Sequence, residues 1–491
     1  MVLASAPICV YHAWALLLTG QLDAVEPRLQ QAERVLEASP EDGLPGDIAT
    51  IRTYSAALHG GVERTIELAR LALERLTPSK QGVRGVVFFA LGGAHMVQGD
   101  IAVAGEAMAR ASEIGLQEGN LHIAVPALNA LSGIEMMQGK LHQAQATAQE
   151  AIRLATDAAG HPLPIAGSAF SALAELAYEW NDLKGALAYA RQGVELSRRW
   201  GNKDPLASSY LTLVEVLIGR GELDEAREAL QEAGQVGRDS ALGLLLPIRM
   251  QTARARLWLA QGDLAAAAGW AERVSAAGLD PLHAGEALTA ARVRLALGQP
   301  DGALEIVTPV IEMARARDLT TWVIEALALQ ALALQALAHH ARGDGARALA
   351  ALGEALTRAR PERPVRRFVD LGPAMAALLR KEAVESIAPD YVRELRSAFG
   401  IPSGTPSGAP GTGVPSHPPA QPLIKPLSAR ELETLSLVAE GLSNLEVGRR
   451  LHIAVSTVKS HLNSVYGKLG VKNRTQAVAR ARALNLLHPP R

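Results

Sequence analysis

The chain has 491 residues, 48% of them hydrophobic but only 4% aromatic, and 88 are alanine, a balance that favours closely packed helices over β-structure. A single cysteine, Cys9, excludes a disulfide scaffold and any multi-cysteine zinc site, and no run of about 18 or more apolar residues suggests a transmembrane helix. The net charge of −1 conceals an asymmetry: residues 427–491 hold 10 Lys and Arg against 4 Asp and Glu, leaving 39 against 46 in the remainder. A basic end on an acidic body points to a polyanionic partner at that end.

The chain opens on an apolar run, Ala13 to Leu18, with no basic residue before it. It reads as an amphipathic first helix rather than a secretory signal, so a cytoplasmic protein is expected. From here a short signature recurs, a Gly or Asn followed by an Ala- and Leu-rich helix. Its marks are Gly20, Gly61, Gly99, Gly139, Asn181, Gly221, Gly262, Gly298 and Gly343, near a 40-residue period. The physical reading is one helical hairpin per repeat, with each mark ending the first helix in a left-handed cap. Asp23, Asp100, Asp182 and Asp263 sit where a carboxylate favours the positive end of the second helix. Residues 1–360 are therefore expected to stack into a solenoid. The pattern resembles a tetratricopeptide-like array, with a period longer than is usual for that repeat. Trp14, Trp180, Tyr189, Trp258, Trp270 and Trp322 fall inside these helices. Packing is the expected role for them; an aromatic ligand groove is the alternative.

Residues 361–400 break the period with Pro361, Pro364, Pro373 and Pro389. They are read as a terminal cap with short helices over 374–384 and 390–398. Residues 401–426 contain eight Pro and four Gly, with Lys425 the only formal charge. Such a stretch cannot form a packed core and reads as a disordered, extended tether.

Residues 427–491 form a separate module. Ser428 with Glu431, Ser443 with Glu446 and Asn473 with Gln476 are capping boxes that open helices. Apolar spacing gives four helices, about 429–441, 444–451, 455–469 and 474–486. Leu435, Val438, Val447, Leu451, Val458, Leu462, Val465 and Ala477 are among the residues expected inside. The second and third helices are separated by only a few residues around His452 to Ala454, the mark of a helix-turn-helix. Lys459, Ser460 and Asn463 lie opposite the apolar stripe of the third helix, with Lys468 and Lys472 at its end. That arrangement suits the DNA major groove.

The run LSARELETLSLVAEGLSNLEVGRRLHIAVSTVKSHLNSVYGKLGVKNRTQAV closely resembles the LuxR-type helix-turn-helix. The resemblance implies that Lys459, Ser460 and Asn463 read bases. It implies that Ser443, Thr457, Lys468 and Arg474 touch phosphate or lie near it, and that the fourth helix dimerises on DNA. Three positions depart from the family pattern. Ala454 replaces a helix-capping Ser, at a cost of about 1 kcal/mol. Gly448 replaces a common Ala inside a helix, at a similar cost of about 1 kcal/mol. Asn463 replaces a residue that is more often basic, leaving an amide suited to adenine. These changes bear on the target sequence rather than on DNA binding itself.

Repeats, tether and module together resemble the C-terminal part of the large MalT-type, ATP-dependent regulators of the LuxR class. In these, helical repeats sense an inducer and the DNA-binding module comes last. No G-x-x-x-x-G-K-[ST] run occurs in this chain, so the phosphate-cradling loop of those regulators is missing from it and the ATP switch is not carried over. Nor is there an H-E-x-x-H, a nucleophile elbow or a metal-ligand cluster, and His339 and His340 are adjacent and point apart on a helix. No catalytic residue, metal or cofactor is expected. The expectation is an all-α transcriptional regulator. Its partners are double-stranded DNA and an inducer, small molecule or protein, at the solenoid, with homodimerisation on DNA and no membrane. The competing reading is an interaction scaffold whose helix-turn-helix is too weak to act.

Overall fold

The computed structural model describes residues 5–401, except 20, 39–42, 78, 240–244, 275–280 and 341–344. Further on it describes 429–439 and the positions 447, 450, 451, 457, 458, 461, 462, 465 and 477. The chain divides into two compact units, Met1–Gly404 and Thr405–Arg491.

The first unit is built from helical hairpins: α1 (Ala6–Leu18) with α2 (Val25–Ala38), α3 (Leu44–Leu58) with α4 (Val62–Arg75), and α5 (Gln81–Gln98) with α6 (Ile101–Gln117). Next come α7 (Leu121–Met137) with α8 (Leu141–Leu154), α9 (Gly167–Glu179) with α10 (Leu183–Trp200), and α11 (Lys203–Arg220) with α12 (Leu223–Val236). The series ends with α13 (Leu245–Gln261) and α14 (Leu264–Ala271), α15 (Ala284–Ala296) and α16 (Pro300–Ala316), and α17 (Thr320–His340) and α18 (Gly345–Ala359). No strand occurs among the described residues, only an isolated bridge between Thr156 and Pro162.

The turn chemistry follows the repeat. Gly99, Gly139, Asn181, Gly221, Gly262 and Gly298 all have positive φ. At Gly99 the chain closes a double cap: Gly99 N–H donates to the Met96 carbonyl at 3.2 Å and Asp100 N–H to that of His95 at 2.9 Å. In the second hairpin the left-handed residue is Gly60, one position before the expected Gly61. Gly20 and Gly343 lie outside the described residues. Asp182 and Asp263 cap their helices by accepting from Gly185 N–H at 2.9 Å and Ala266 N–H at 3.1 Å. Asp100 makes no such bond and instead faces His95 Nδ1 at 3.4 Å, and Asp23 sits in a short 3-10 turn.

Five residues after each of those six marks stands Ala104, Ala144, Ala186, Ala226, Ala267 or Ala303, every one with no exposed surface. This is the first-turn position of the second helix, where it presses on its partner, and a methyl group is what close helix approach allows. The alanine enrichment is thereby assigned a place in each repeat.

The middle of the first unit meets its later helices, α7 against α17 and α9 against Arg366–Val369. Residues of α6 and α7 share a single hydrophobic core with residues of α13–α18 and the cap. Thr321 Oγ1 donates to the Met136 carbonyl at 2.5 Å. Gly139 serves here twice: its φ is +75°, and a Cβ on it would lie 3.0 Å from Thr320 Cβ.

The segment after α18 forms α19 (Arg366–Val369), α20 (Gly372–Leu379), α21 (Glu382–Glu385) and α22 (Pro389–Ala398). Phe368, Met375, Leu379, Tyr391 and Leu395 are fully buried in the core that contains α17. The single helix expected over 374–384 is instead two. Lys381 takes an extended backbone (ψ 134°) and its Nζ donates to Gln335 Oε1 of α17 at 2.6 Å.

α17 differs from expectation in another respect. Among the described residues it is the one helix long and apolar enough to cross a membrane by length and composition. Its apolar side chains are accounted for by packing in the core against α15, α16 and α18.

The second unit contains α23 (Ala429–Ala439). Val438, Val447, Leu451, Val458 and Leu462 form one buried cluster, and Leu435, Val465 and Ala477 are also buried. Of the positions expected to face inward, the eight whose side chains are described are all buried. The sequence spacing 458, 462, 465 marks one stripe of a helix. Arg430 donates to the Leu451 carbonyl at 3.0 Å and so ties α23 to the helical residues that follow it. Leu469, Val478, Ala481, Leu484 and the tether over 402–426 lie outside the described residues, as do the side chains of Leu432 and Ala439.

Candidate functional site

Of the seven residues implicated in DNA contact, Thr457 is described: it is helical and exposed, immediately before buried Val458. Ser443, Lys459, Ser460, Asn463, Lys468 and Arg474 lie outside the described residues, as do Gly448 and Ala454. The inward stripe that would turn the third helix's other face to solvent is in place.

The first unit holds a second candidate site, which the sequence did not disclose. The residues after α18 run back to the middle repeats. Val365 N–H donates to the Glu179 carbonyl at 2.7 Å, Trp180 Nε1 donates to the Glu362 carbonyl at 3.0 Å, and His142 N–H donates to Glu362 Oε2 at 2.9 Å. Val365 and Phe368 face the core, while Arg366, Arg367 and Asp370 reach the opposite wall.

There they complete an ionic cluster in which Glu179 and Glu325 are buried and the other charged groups half-buried. Arg366 pairs with Asp370, lies over the Tyr178 ring with its guanidinium carbon 4.9 Å from the centroid, and donates to the Gly219 carbonyl at 3.3 Å. Tyr178 OH donates to Asp370 Oδ2 at 2.8 Å. Arg367 pairs with Glu179 of α9 and, at 2.5 Å, with Glu325 of α17. Arg292 of α15 holds the other Glu325 oxygen at 2.8 Å, and Arg256 of α13 pairs with Glu215 of α11 at 2.9 Å.

Burial raises the Glu179 carboxyl above its ordinary value, against the opposing pull of Arg367. Burial also acts to raise Glu325, but Arg292, Arg367 and Arg256 outweigh it and lower that carboxyl to about 2. The Tyr178 hydroxyl is raised, first by burial and then by the Asp370 charge. The cluster borders a cavity of about 70 Å³, lined also by Glu175, Met136 and Val216. Among the described residues, Glu179 Oε2, Arg292 Nε, Arg366 Nε and Arg367 Nε are buried there without a hydrogen-bond partner in the protein.

One sequence signal could have pointed here. Glu325 is the only formally charged residue between Asp318 and Arg342, inside an Ala- and Leu-rich run. A lone carboxylate in a core helix requires a buried partner. The aromatic residues do not build this site as a groove. Trp270 is buried, Trp14, Trp258 and Trp322 pack against the cores, and Trp180 stacks on His142 at 5.1 Å. Tyr189 is the exposed one, beside Phe170.

With both units in view, family comparison is decisive. The profile of the MalT-like TPR region matches residues 46–385, more than half of the chain. The chain belongs to the MalT-like TPR region family. Its C-terminal residues 425–481 match the bacterial regulatory proteins of the luxR family. The HTH-type transcriptional regulator MalT of Yersinia pestis (strain Pestoides F) is 26% identical over 492 residues, covering 97% of this chain and 54% of that protein. MalT of Yersinia pseudotuberculosis serotype O:1b (strain IP 31758) matches to the same extent. The chain thus spans about half the length of these curated relatives. Among solved structures, a Rap protein complexed with Competence and Sporulation Factor superposes with a TM-score of 0.54 at 14% identity, over 73% of this chain and 99% of that one. That likeness establishes the helical-repeat fold of the first unit. The MalT-like repeats and the luxR-type module thus stand in one chain, in the order expected from the sequence.

Proposed function

We propose that this protein is a cytoplasmic DNA-binding transcriptional regulator. Its helical repeats receive a signal, a small molecule or a partner protein, and its C-terminal helix-turn-helix binds promoter DNA. The observation that carries the reading is the junction, in one chain, of a MalT-like repeat region and a luxR-family module whose apolar stripe is buried. The MalT relatives are HTH-type transcriptional regulators by name, which supports the same reading.

In this reading Lys459, Ser460 and Asn463 contact base edges in the major groove. Ser443, Thr457, Lys468 and Arg474 hold the phosphates on either side. Two modules engage paired half-sites through the fourth helix, and the tether sets their reach. The signal acts by favouring whichever arrangement of the chain permits that double engagement. The test is a fluorescence-anisotropy titration of labelled promoter duplexes with the full chain at two salt concentrations. Binding that weakens steeply with salt supports the proposal; salt-independent binding, or none to any duplex, defeats it.

A further inference from the structure

The buried ionic cluster offers more than a structural seam. Its cavity is lined from several helices, and its charges already cancel in pairs: Arg366 with Asp370, Arg256 with Glu215, Arg249 with Glu175 at 3.7 Å, and Arg292 and Arg367 with Glu179 and Glu325. What remains is polar but unmatched. Three guanidinium Nε–H donors lack an acceptor, and one carboxylate oxygen, Glu179 Oε2, lacks a donor. Glu179 is 8% exposed at its side chain, and it, Arg292, Arg366 and Arg367 all line the cavity.

These demands define a ligand. An anion would satisfy the guanidiniums but would sit unpaired beside Glu179 and Glu215. A cation would satisfy Glu179 but would sit unpaired beside Arg256, Arg292 and Arg367. Either adds a net charge to a buried site that has no countercharge left to offer. A molecule carrying both a carboxylate and an ammonium offers a partner to each kind of unmatched group and adds no net charge. Size narrows the class further. At roughly 10–15 Å³ for each water-sized group, the cavity of about 70 Å³ takes about five to seven of them, the dimensions of glycine, alanine or serine.

We infer that this cavity is a binding site for a small zwitterion, a free α-amino acid. Its carboxylate accepts from the unpartnered guanidinium nitrogens, and its ammonium donates to Glu179 Oε2. Because the site joins α9, α15 and α19, occupancy stiffens the contact between the middle repeats and the cap. That the amino acid serves as the signal rests on the function proposed above; the binding itself does not.

Isothermal titration calorimetry of the full chain with glycine, L-alanine and L-serine tests this, with acetate, ethylamine and glycerol as probes of each half and of neither charge. At least one of the three amino acids should bind saturably, at least tenfold tighter than any of the other probes. Met136→Phe fills the cavity without touching a charge and should weaken that binding at least tenfold while leaving the thermal melt intact. If that variant fails to fold, Glu179→Gln, which removes the ammonium's charged acceptor, should do the same. Absence of saturable binding by all three, tighter binding of acetate, ethylamine or glycerol, or undiminished affinity in a folded variant overturns the inference. No DNA is present in the measurement, so its failure leaves the DNA-binding reading standing, and the reverse holds too.

Discussion

Arg367 of the cap and Glu325 of α17 form a 2.5 Å ion pair at residues separated by 42 positions in sequence, and Glu325 is 1% exposed. Arg367 also holds Glu179, so one guanidinium neutralises carboxylates on two walls of the superhelix. Removing it leaves buried Glu179 without its ion-pair partner and buried Glu325 with Arg292 alone. Arg367→Ala should therefore lower the stability of the repeat unit by about 3–5 kcal/mol, the range for breaking a buried pair. Arg227→Ala, which breaks an exposed pair with Asp224, should change it little. Urea unfolding followed by circular dichroism distinguishes the two.

Acid should act on the same cluster with a defined sign. Glu325 is lowered to about 2 in the folded protein, so its contribution is fully present above the ordinary carboxylate value and is lost as pH falls toward 2. The displacement corresponds to on the order of 3 kcal/mol. Glu179, raised by burial, acts in the opposite sense: its ionisation costs stability as pH rises through its folded value. Melting temperatures between pH 2 and about 5 should fall less steeply with acid for Glu325→Gln than for the parent. Parallel slopes would show that Glu325 is not held low.

Glycines in the repeats are required for two separable reasons. Gly221 has φ +77° with nothing within 4 Å of a Cβ placed on it, so Gly221→Ala should cost only backbone strain, about 1–2 kcal/mol. At Gly115 a Cβ would meet the Ala124 backbone nitrogen at 2.7 Å, so Gly115→Ala forces α6 away from α7. Asparagine separates the two causes. Gly221→Asn should recover part of the loss, because Asn tolerates the left-handed region, whereas Gly115→Asn should be worse than alanine. Thermal melts of the four variants read this directly.

For the module, Lys468→Ala and Arg474→Ala should weaken binding to all duplexes alike, each reducing the salt slope by about one. Lys459→Ala should cost about 1–3 kcal/mol on the preferred sequence and relax the preference there. Val458→Asp, in the buried cluster, should abolish binding to every duplex while leaving the melt of the repeat unit unchanged. Anisotropy titrations at several salt concentrations separate these patterns.

What could be read from the sequence was what local chemistry decides. A left-handed cap needs Gly or Asn, so Gly99, Asn181 and Gly221 announced the turns, and the period-3.6 spacing of Val458, Leu462 and Val465 announced the buried stripe. Where two neighbouring glycines competed, at Gly60 and Gly61, the sequence offered no means to choose. The ionic cluster was hidden for a different reason. Arg366 and the Tyr178 hydroxyl it faces at 3.4 Å are 188 positions apart, and no pattern within a helix encodes such a partner. Glu325 stood out as a lone charge, but nothing nearby named Arg292 or Arg367. The break in the helix at Lys381 was hidden likewise, since Gln335, which holds its ammonium, lies 46 positions earlier.

The bond from Thr321 to the Met136 carbonyl carries a consequence for how this unit comes to exist. An open array can settle hairpin by hairpin as it leaves the ribosome, each repeat needing only the one before it. Here the face of α7 that meets α17 finds its permanent cover only after some 185 further residues have been made. Until then it is an exposed apolar face, vulnerable to association with other chains. The last hairpins and the cap therefore govern assembly out of proportion to their size: a chain broken off before α17 leaves the middle of the molecule without its cover.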